Sequence, residues 1–229
     1  VTALTTRRFA SRAALDAALA ERLGQAIAAR GTTTAIMLSG GSTPLPAYRL
    51  VAQRPPPHEA RLHVLFSDDR YVPADSEASN YHHSQPLLDA LALPPGRVLR
   101  VDTTLPLQQA ALDYERQLAA LLAAGVPIDL GLLGLGADGH TASLFGEADL
   151  ARARGRLAIA VHRPDGMSAV SVTPEFLSRL GEPIFVVSGS DKREAIRALI
   201  AQDPELIAWR AVQGCSAAQL WVHAGESNP

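Results

Sequence analysis

Residues 134 to 143 read GLGADGHTAS, and two side chains in that stretch, Asp138 and His140, are suited to moving a proton. Histidine has an unperturbed pKa of about 6.5, so it can take up and release a proton near neutrality. An acid two residues earlier, across a glycine, can hold the ring in one tautomer or position a substrate. The same stretch formally matches a dinucleotide fingerprint, Gly134-x-Gly136-x-x-Gly139, after an apolar run. Two features oppose a dinucleotide. Asp138 would face the pyrophosphate, and no acid closes the following strand near Ile159 to Val161 to meet a ribose hydroxyl.

Three further polar loops follow apolar runs. Ser39-Gly40-Gly41-Ser42-Thr43-Pro44 follows TAIML and precedes a helical pattern. Adjacent glycines let the backbone approach a ligand, and hydroxyls with a helix N-terminus favour an anion such as phosphate. No lysine follows the glycines, so this is not a P-loop. Ser67-Asp68-Asp69-Arg70 follows LHVLF and leads to Ser79-Asn80-Tyr81; two acids and an arginine there could anchor hydroxyls and an anion, or form a solvated charge cluster. Ser188-Gly189-Ser190-Asp191-Lys192 follows PIFVVS. All but one of the 21 basic side chains are arginine, and the exception is Lys192. A lone lysine in an arginine-biased chain suits a position that needs a compact ammonium.

These loops need a scaffold that gathers strand ends. Apolar spacing predicts helices over Arg12 to Arg30, over the LPAYRLVAQ segment after Pro44 (with Ser42 or Thr43 as cap), over Leu105 to Ala124 and over Asp191 to Ile200. Buried strands are predicted at 34–38, 62–66, 97–101, 128–133, 156–161, 168–173, 183–188 and 219–223. Strands alternating with helices predict an α/β fold, a mostly parallel sheet with helices on both faces, and ligands bind such sheets at the carboxyl ends of the strands. With no linker or repeat, residues 1–229 are expected to form a single domain.

The net charge of −2 gives no reason to expect nucleic acid or an anionic membrane as partner. No segment reads as a signal peptide or a spanning helix. The single cysteine, Cys215, rules out an internal disulfide framework and fits a reducing, cytoplasmic setting. The paired histidines His82 and His83 and the spacing of His58 and His63 are poor metal patterns. Four polar loops at strand ends, two suited to phosphate, imply one pocket for a phosphorylated small molecule.

Together these motifs resemble the 6-phosphogluconolactonase family, within the group that also holds the glucosamine-6-phosphate deaminases. The matching segments are LSGGSTP (38–44), FSDDRYVP (66–73) with SNY (79–81), GLLGLGADGHTASLF (131–145) and VVSGSDKREAI (186–196). They occur in the family's order. The deaminase branch typically continues Asp-Gly-His with Ile-Ala-Phe-Asn-Glu, where this chain has Thr-Ala-Ser-Leu-Phe.

The resemblance implies a Rossmann-like fold of the NagB/lactonase type and cofactor-free hydrolysis of a sugar-phosphate lactone. It makes His140 the general base, supported by Asp138. It assigns the Ser39, Gly40, Gly41, Ser42 and Thr43 loop, Asp68, Arg70, Asn80, Gly139 and Lys192 to substrate, with Arg70 also able to offset charge at the reacting carbonyl. No metal is expected, and the chain is expected to act as a monomer or weak homodimer. This chain departs from the family pattern at Asp69, usually glutamate, and at Gly146, often proline. It departs again at Ala169 and Val170, where the family often carries an arginine and where Arg163 is the nearby substitute. A deaminase or isomerase reading, and a sugar-phosphate sensor that would leave His140 idle, are the alternatives.

Overall fold

The computed structural model describes residues 2–28, 33–57 and 61–223; His58 and the last two residues of the first predicted helix lie outside them. Six strands form one all-parallel sheet: β1 (Ala3–Arg8), β2 (Thr34–Leu38), β3 (Leu62–Phe66), β5 (Ile128–Leu133), β8 (Pro183–Ser188) and β9 (Ala217–His223), in the order β1-β9-β8-β5-β2-β3. Three short strands, β4 (Asp68–Arg70), β6 (Ala158–His162) and β7 (Ser168–Val172), form a second, antiparallel sheet in the order β4-β7-β6.

Side-chain alternation sends each central strand into two cores. Ile36, Leu38, Val64, Phe66, Leu130 and Leu132 pack on one face, beneath α1 (Arg12–Ile27), α2 (Leu45–Gln53) and α3 (Asn80–Leu91). Met37, Leu65, Leu133, Phe185 and Val187 pack on the other, under α4 (Leu107–Ala123), the second sheet and the carboxyl-terminal helices α7 (Arg193–Ile200) and α8 (Ile207–Val212). Burial on both faces explains why these strands read as continuous apolar runs rather than alternating ones. The six-strand parallel sheet flanked by helices is therefore the α/β arrangement that the sequence predicts.

The helix α1 starts where Ser11 accepts a hydrogen bond from the Ala14 N–H at 3.1 Å, and it turns Leu15, Leu19, Leu23 and Ile27 inward. The expected cap of α2 is absent. Its N-cap is Pro44, and no side chain accepts from its first turn. Asp191 to Ile200 divides into a 3₁₀ turn, Ser190–Lys192, and α7. Strand β1 and the helices α3, α5 (Glu147–Arg152), α6 (Pro174–Leu177) and α8 are additions to the predicted elements.

The predicted strand at 97–101 does not form. Its chain begins to pair with β3, where the Val64 N–H donates to Arg97 O at 2.8 Å and the Leu99 N–H to Val64 O at 2.8 Å. It goes no further because a side chain occupies the next position. The Tyr114 hydroxyl accepts from the Phe66 N–H at 3.0 Å and donates to Phe66 O at 2.5 Å. One phenol thus takes both ladder groups of the last residue of β3. Tyr48 makes the same double contact at the end of β2, accepting from the Ser39 N–H at 3.1 Å and donating to Ser39 O at 2.9 Å. Burial pushes both phenols far above the ordinary tyrosine range, so neither is a proton carrier.

Tyr114→Phe leaves a buried N–H and a buried C=O without partners. It is expected to lower the unfolding free energy by about 1–3 kcal/mol, read as a shifted denaturant midpoint at unchanged slope.

Candidate active site

The carboxyl ends of β2, β3, β5 and β8 open into one cavity of about 370 Å³. Its wall includes Ser39, Gly40, Gly41, Ser42 and Thr43 after β2, Asp68 and Arg70 in β4, Asn80 at the start of α3, Gly134, Gly136 and His140 after β5, and Lys192 after β8. The four loops singled out in the sequence therefore meet in space. Arg163, Leu135, Ala142 and Ser188 also line it.

The acid pair of the second loop divides by strand alternation. Asp68 and Arg70 face the cavity, and Asp69 between them faces the start of α3. Asp69 accepts from the Asn80 N–H at 2.6 Å, the Tyr81 N–H at 3.1 Å, the Ser79 hydroxyl at 3.0 Å and the Arg70 N–H at 2.8 Å. It anchors that helix terminus and is a structural group. Burial raises its pKa, the bonds from Asn80, Tyr81 and Ser79 lower it, and Asp68 adds repulsion; the net direction is upward.

Fixing α3 in this way places Asn80. Its amide donates to Asp68 O at 2.8 Å, its carbonyl accepts from the Arg70 guanidinium, and its side chain lies flat on Gly40. A Cβ at Gly40 would overlap that amide, so the glycine is needed for close approach. Asp68 is buried and accepts from the hydroxyls of Ser67 at 2.8 Å and Ser143 at 2.7 Å. Ser143 has no exposed surface and its hydroxyl already donates to Asp68, which does not suit a nucleophile. Cys215, bonded to Leu177 O with its thiol pushed up by burial to about 11, lies outside the cavity lining.

His140 projects into the cavity with Nδ1 2.5 Å from Asp138 Oδ1, and the same oxygen accepts from the His140 N–H at 3.2 Å. Asp138 itself does not line the cavity; it stands behind the ring. This leaves Nε2 as the nitrogen available for chemistry. A Cβ at Gly136 would strike both the imidazole and the Asp138 carboxylate, so that glycine makes room for the pair. Burial alone would raise the Asp138 pKa, but the bonds and charge from His140 outweigh it and the net direction is downward. Phe145 covers the ring, with centroids 4.4 Å apart, and Arg163 lies over Phe145 at 5.1 Å. Arg163 is held by Asp165 at 2.9 Å and donates to the Ser143 hydroxyl at 3.2 Å.

Gly139 falls outside the lining. It has φ +84°, its carbonyl accepts from the Ala208 N–H at 2.9 Å, and it packs on Leu206, so its place is in the turn that presents His140. Lys192 Nζ donates to Leu135 O at 2.6 Å at the cavity edge. Ser39 Oγ is the one buried side-chain polar atom among the described residues that lacks a hydrogen-bond partner. A buried hydroxyl left unpaired costs free energy unless a ligand meets it. Phe145 closes the family-matching segment 131–145, but residue type alone gave it no role, because its contribution is a ring face.

Residues 7–221 match the family model described as glucosamine-6-phosphate isomerases/6-phosphogluconolactonase. The 6-phosphogluconolactonase of Synechocystis is 36% identical over 200 residues, 84% of this chain and 82% of that one. That of Thermotoga maritima is 34% identical over 173 residues, 74% of this chain and 76% of its relative. The chain belongs to the 6-phosphogluconolactonase family. It shares the lactonase fold over nearly its full length: the crystal structure of the Thermotoga maritima 6-phosphogluconolactonase superposes with a TM-score of 0.78 at 28% identity, covering 97% of this chain and 99% of that one. The chain is an enzyme of this type.

In His140→Ala the imidazole's hydrogen bond and charge vanish, while burial and the weaker backbone N–H donors remain. The Asp138 carboxyl, which titrates below the ordinary aspartate value in the intact protein, is therefore expected to move up, as read by carbon NMR. Because the folded pKa is depressed, the pair's stabilising contribution is full above the unfolded aspartate pKa. It is lost as pH falls through the folded value.

Proposed function

We propose that this enzyme hydrolyses 6-phospho-D-glucono-1,5-lactone to 6-phospho-D-gluconate, the lactone-opening step of the oxidative pentose phosphate route. The observation that carries this is one cavity in which an aspartate-held imidazole faces a glycine loop with an unpaired buried hydroxyl. Family membership supplies the substrate class.

In this reading, His140 Nε2 takes a proton from water as the water oxygen bonds to C1 of the lactone. Asp138 steadies the imidazolium that forms. The carbonyl oxygen becomes an oxyanion and is met by a nearby cation, Arg163 or Lys192. When the intermediate collapses, the bond from C1 to the ring oxygen breaks and His140 returns its proton to that oxygen, which becomes a hydroxyl. The acid product ionises. A ring ester carries its own leaving group, so one base, an anchored phosphate and oxyanion stabilisation suffice without a covalent step. The Ser39–Thr43 loop with Arg70 holds the phosphate, and Asn80 holds Arg70 in place. Ala169, which pairs with Arg70 across β4 and β7, offers only a methyl group, and Arg163 in the cavity wall is the cation that takes the part of the family's arginine in this reading. The Thr-Ala-Ser-Leu-Phe continuation favours the lactonase over the deaminase branch: it places Ser143 on Asp68 and Phe145 on His140.

Lactone generated from glucose 6-phosphate should disappear faster with this protein than by spontaneous opening. His140→Ala is expected to lower kcat by about 10²- to 10⁴-fold, while calorimetry shows 6-phosphogluconate still bound. Equal rates for the two proteins would remove His140 from the mechanism.

A further inference from the structure

The glycine loop of the cavity is held from behind by a residue outside the cavity. Arg12, the first residue of α1, donates through Nη2 to Ser42 O at 3.0 Å and to Thr43 O at 2.8 Å. Its Nε is fixed by Asp16 Oδ1 at 2.7 Å, one turn along the same helix. Three groups thus set one guanidinium against two consecutive carbonyls.

A trans peptide points its C=O and its following N–H in opposite directions. Drawing the Ser42 carbonyl toward Arg12 therefore turns the Thr43 N–H away from Arg12, and Thr43 is itself part of the cavity wall. The loop needs that help. The helix α2 behind it has no side-chain cap, and Pro44 and Pro46 contribute no N–H, so the amides of its first turn are few. Gly41, at φ +86°, has no side chain with which to fix its own turn. Ser39 is already pinned by Tyr48. The other end of the loop, Ser42 to Thr43, is pinned by Arg12. The guanidinium also places a positive charge directly behind an anion-binding loop.

We infer that Arg12 is a positioning residue for the phosphate end of the substrate, and that through the loop it makes the enzyme prefer phosphorylated over unphosphorylated lactones. This inference rests on the function proposed above. Arg12 touches no reacting atom; it acts through the backbone of Ser42 and Thr43.

The test compares wild type, Arg12→Ala, Arg12→Lys and Asp16→Asn on 6-phosphogluconolactone and on glucono-1,5-lactone, with 6-phosphogluconate binding by calorimetry and thermal melts alongside. Removing a charge-assisted pair of hydrogen bonds behind the loop is expected to raise KM for the phosphorylated lactone about tenfold and to weaken 6-phosphogluconate binding similarly. The kcat on that substrate and the rate on glucono-1,5-lactone should stay within about twofold. Arg12→Lys keeps the charge and should recover part of the loss, and Asp16→Asn should fall between. A lower melting temperature with an unchanged ratio of the two substrates would overturn the inference, leaving Arg12 as a tie between α1 and the loop. If wild type opens neither lactone yet binds 6-phosphogluconate, the functional reading fails on its own, and the effect of Arg12→Ala on that affinity decides the inference. No binding by wild type overturns both.

Discussion

Between Phe66 and Asp68 the chain leaves one sheet and enters another, and Ser67 has to satisfy both. Its N–H donates to Leu38 O at the end of β2, its carbonyl accepts from the Val172 N–H at the end of β7, and its hydroxyl donates to Asp68. Two buried carboxylates follow directly, and charges of one sign on adjacent residues are costly inside a protein unless each finds donors. Much of the site is an answer to that demand. Asp69 draws the start of α3 down, which sets Asn80 against Gly40 and Arg70. Asp68 draws in Ser143, which fixes the chain that carries Phe145. The polar architecture of the cavity follows from where two acids had to be paired.

The His140 ring is positioned by contacts of different kinds. Asp138 sets its tautomer through a hydrogen bond, and Phe145 limits its tilt through a face contact. Phe145 in turn carries the Arg163 guanidinium over its ring, so imidazole, phenyl and guanidinium are in successive contact. A cation above an aromatic face is attracted by the ring quadrupole, so Phe145 links the Arg163 charge to the His140 ring without a hydrogen bond between them.

The parts of this molecule that could be read from its sequence are those where local pattern and tertiary environment agree. The strands β2, β3, β5 and β8 are apolar runs because both faces of the sheet are covered, and the glycine loops mark their ends. The residues of those loops come together because strand ends in a parallel sheet all face one way. The segment at 97–101 has the composition of a strand, yet a tyrosine thirteen residues beyond it takes the hydrogen-bonding position that it would need. Asp68-Asp69-Arg70 has the composition of a loop, and tertiary pairing with β7 makes it a strand whose alternation divides its acids between two roles. Strand β1, exposed along most of its length, has no apolar run from which a strand could be predicted. Arg12 has the sequence context of an ordinary surface residue at a helix start, since the two carbonyls it meets belong to Ser42 and Thr43, far along the chain.

The two borders of the large sheet are closed to outsiders by opposite chemistry. At β3 the Tyr114 phenol occupies the final rung from within, so an incoming strand finds its donor and acceptor already engaged. At β1 the backbone of the border strand is accessible, but it carries Arg7 and Arg8 in succession, and Arg7 spreads over the rings of Phe9 and Trp221 at 4.7 and 4.8 Å. A second molecule adding a strand there would have to strip water from guanidinium groups and lift one off two aromatic rings. A parallel sheet is a slow structure to assemble and spends time with its borders uncovered. In this one, a phenol discourages aggregation at one border and charge discourages it at the other.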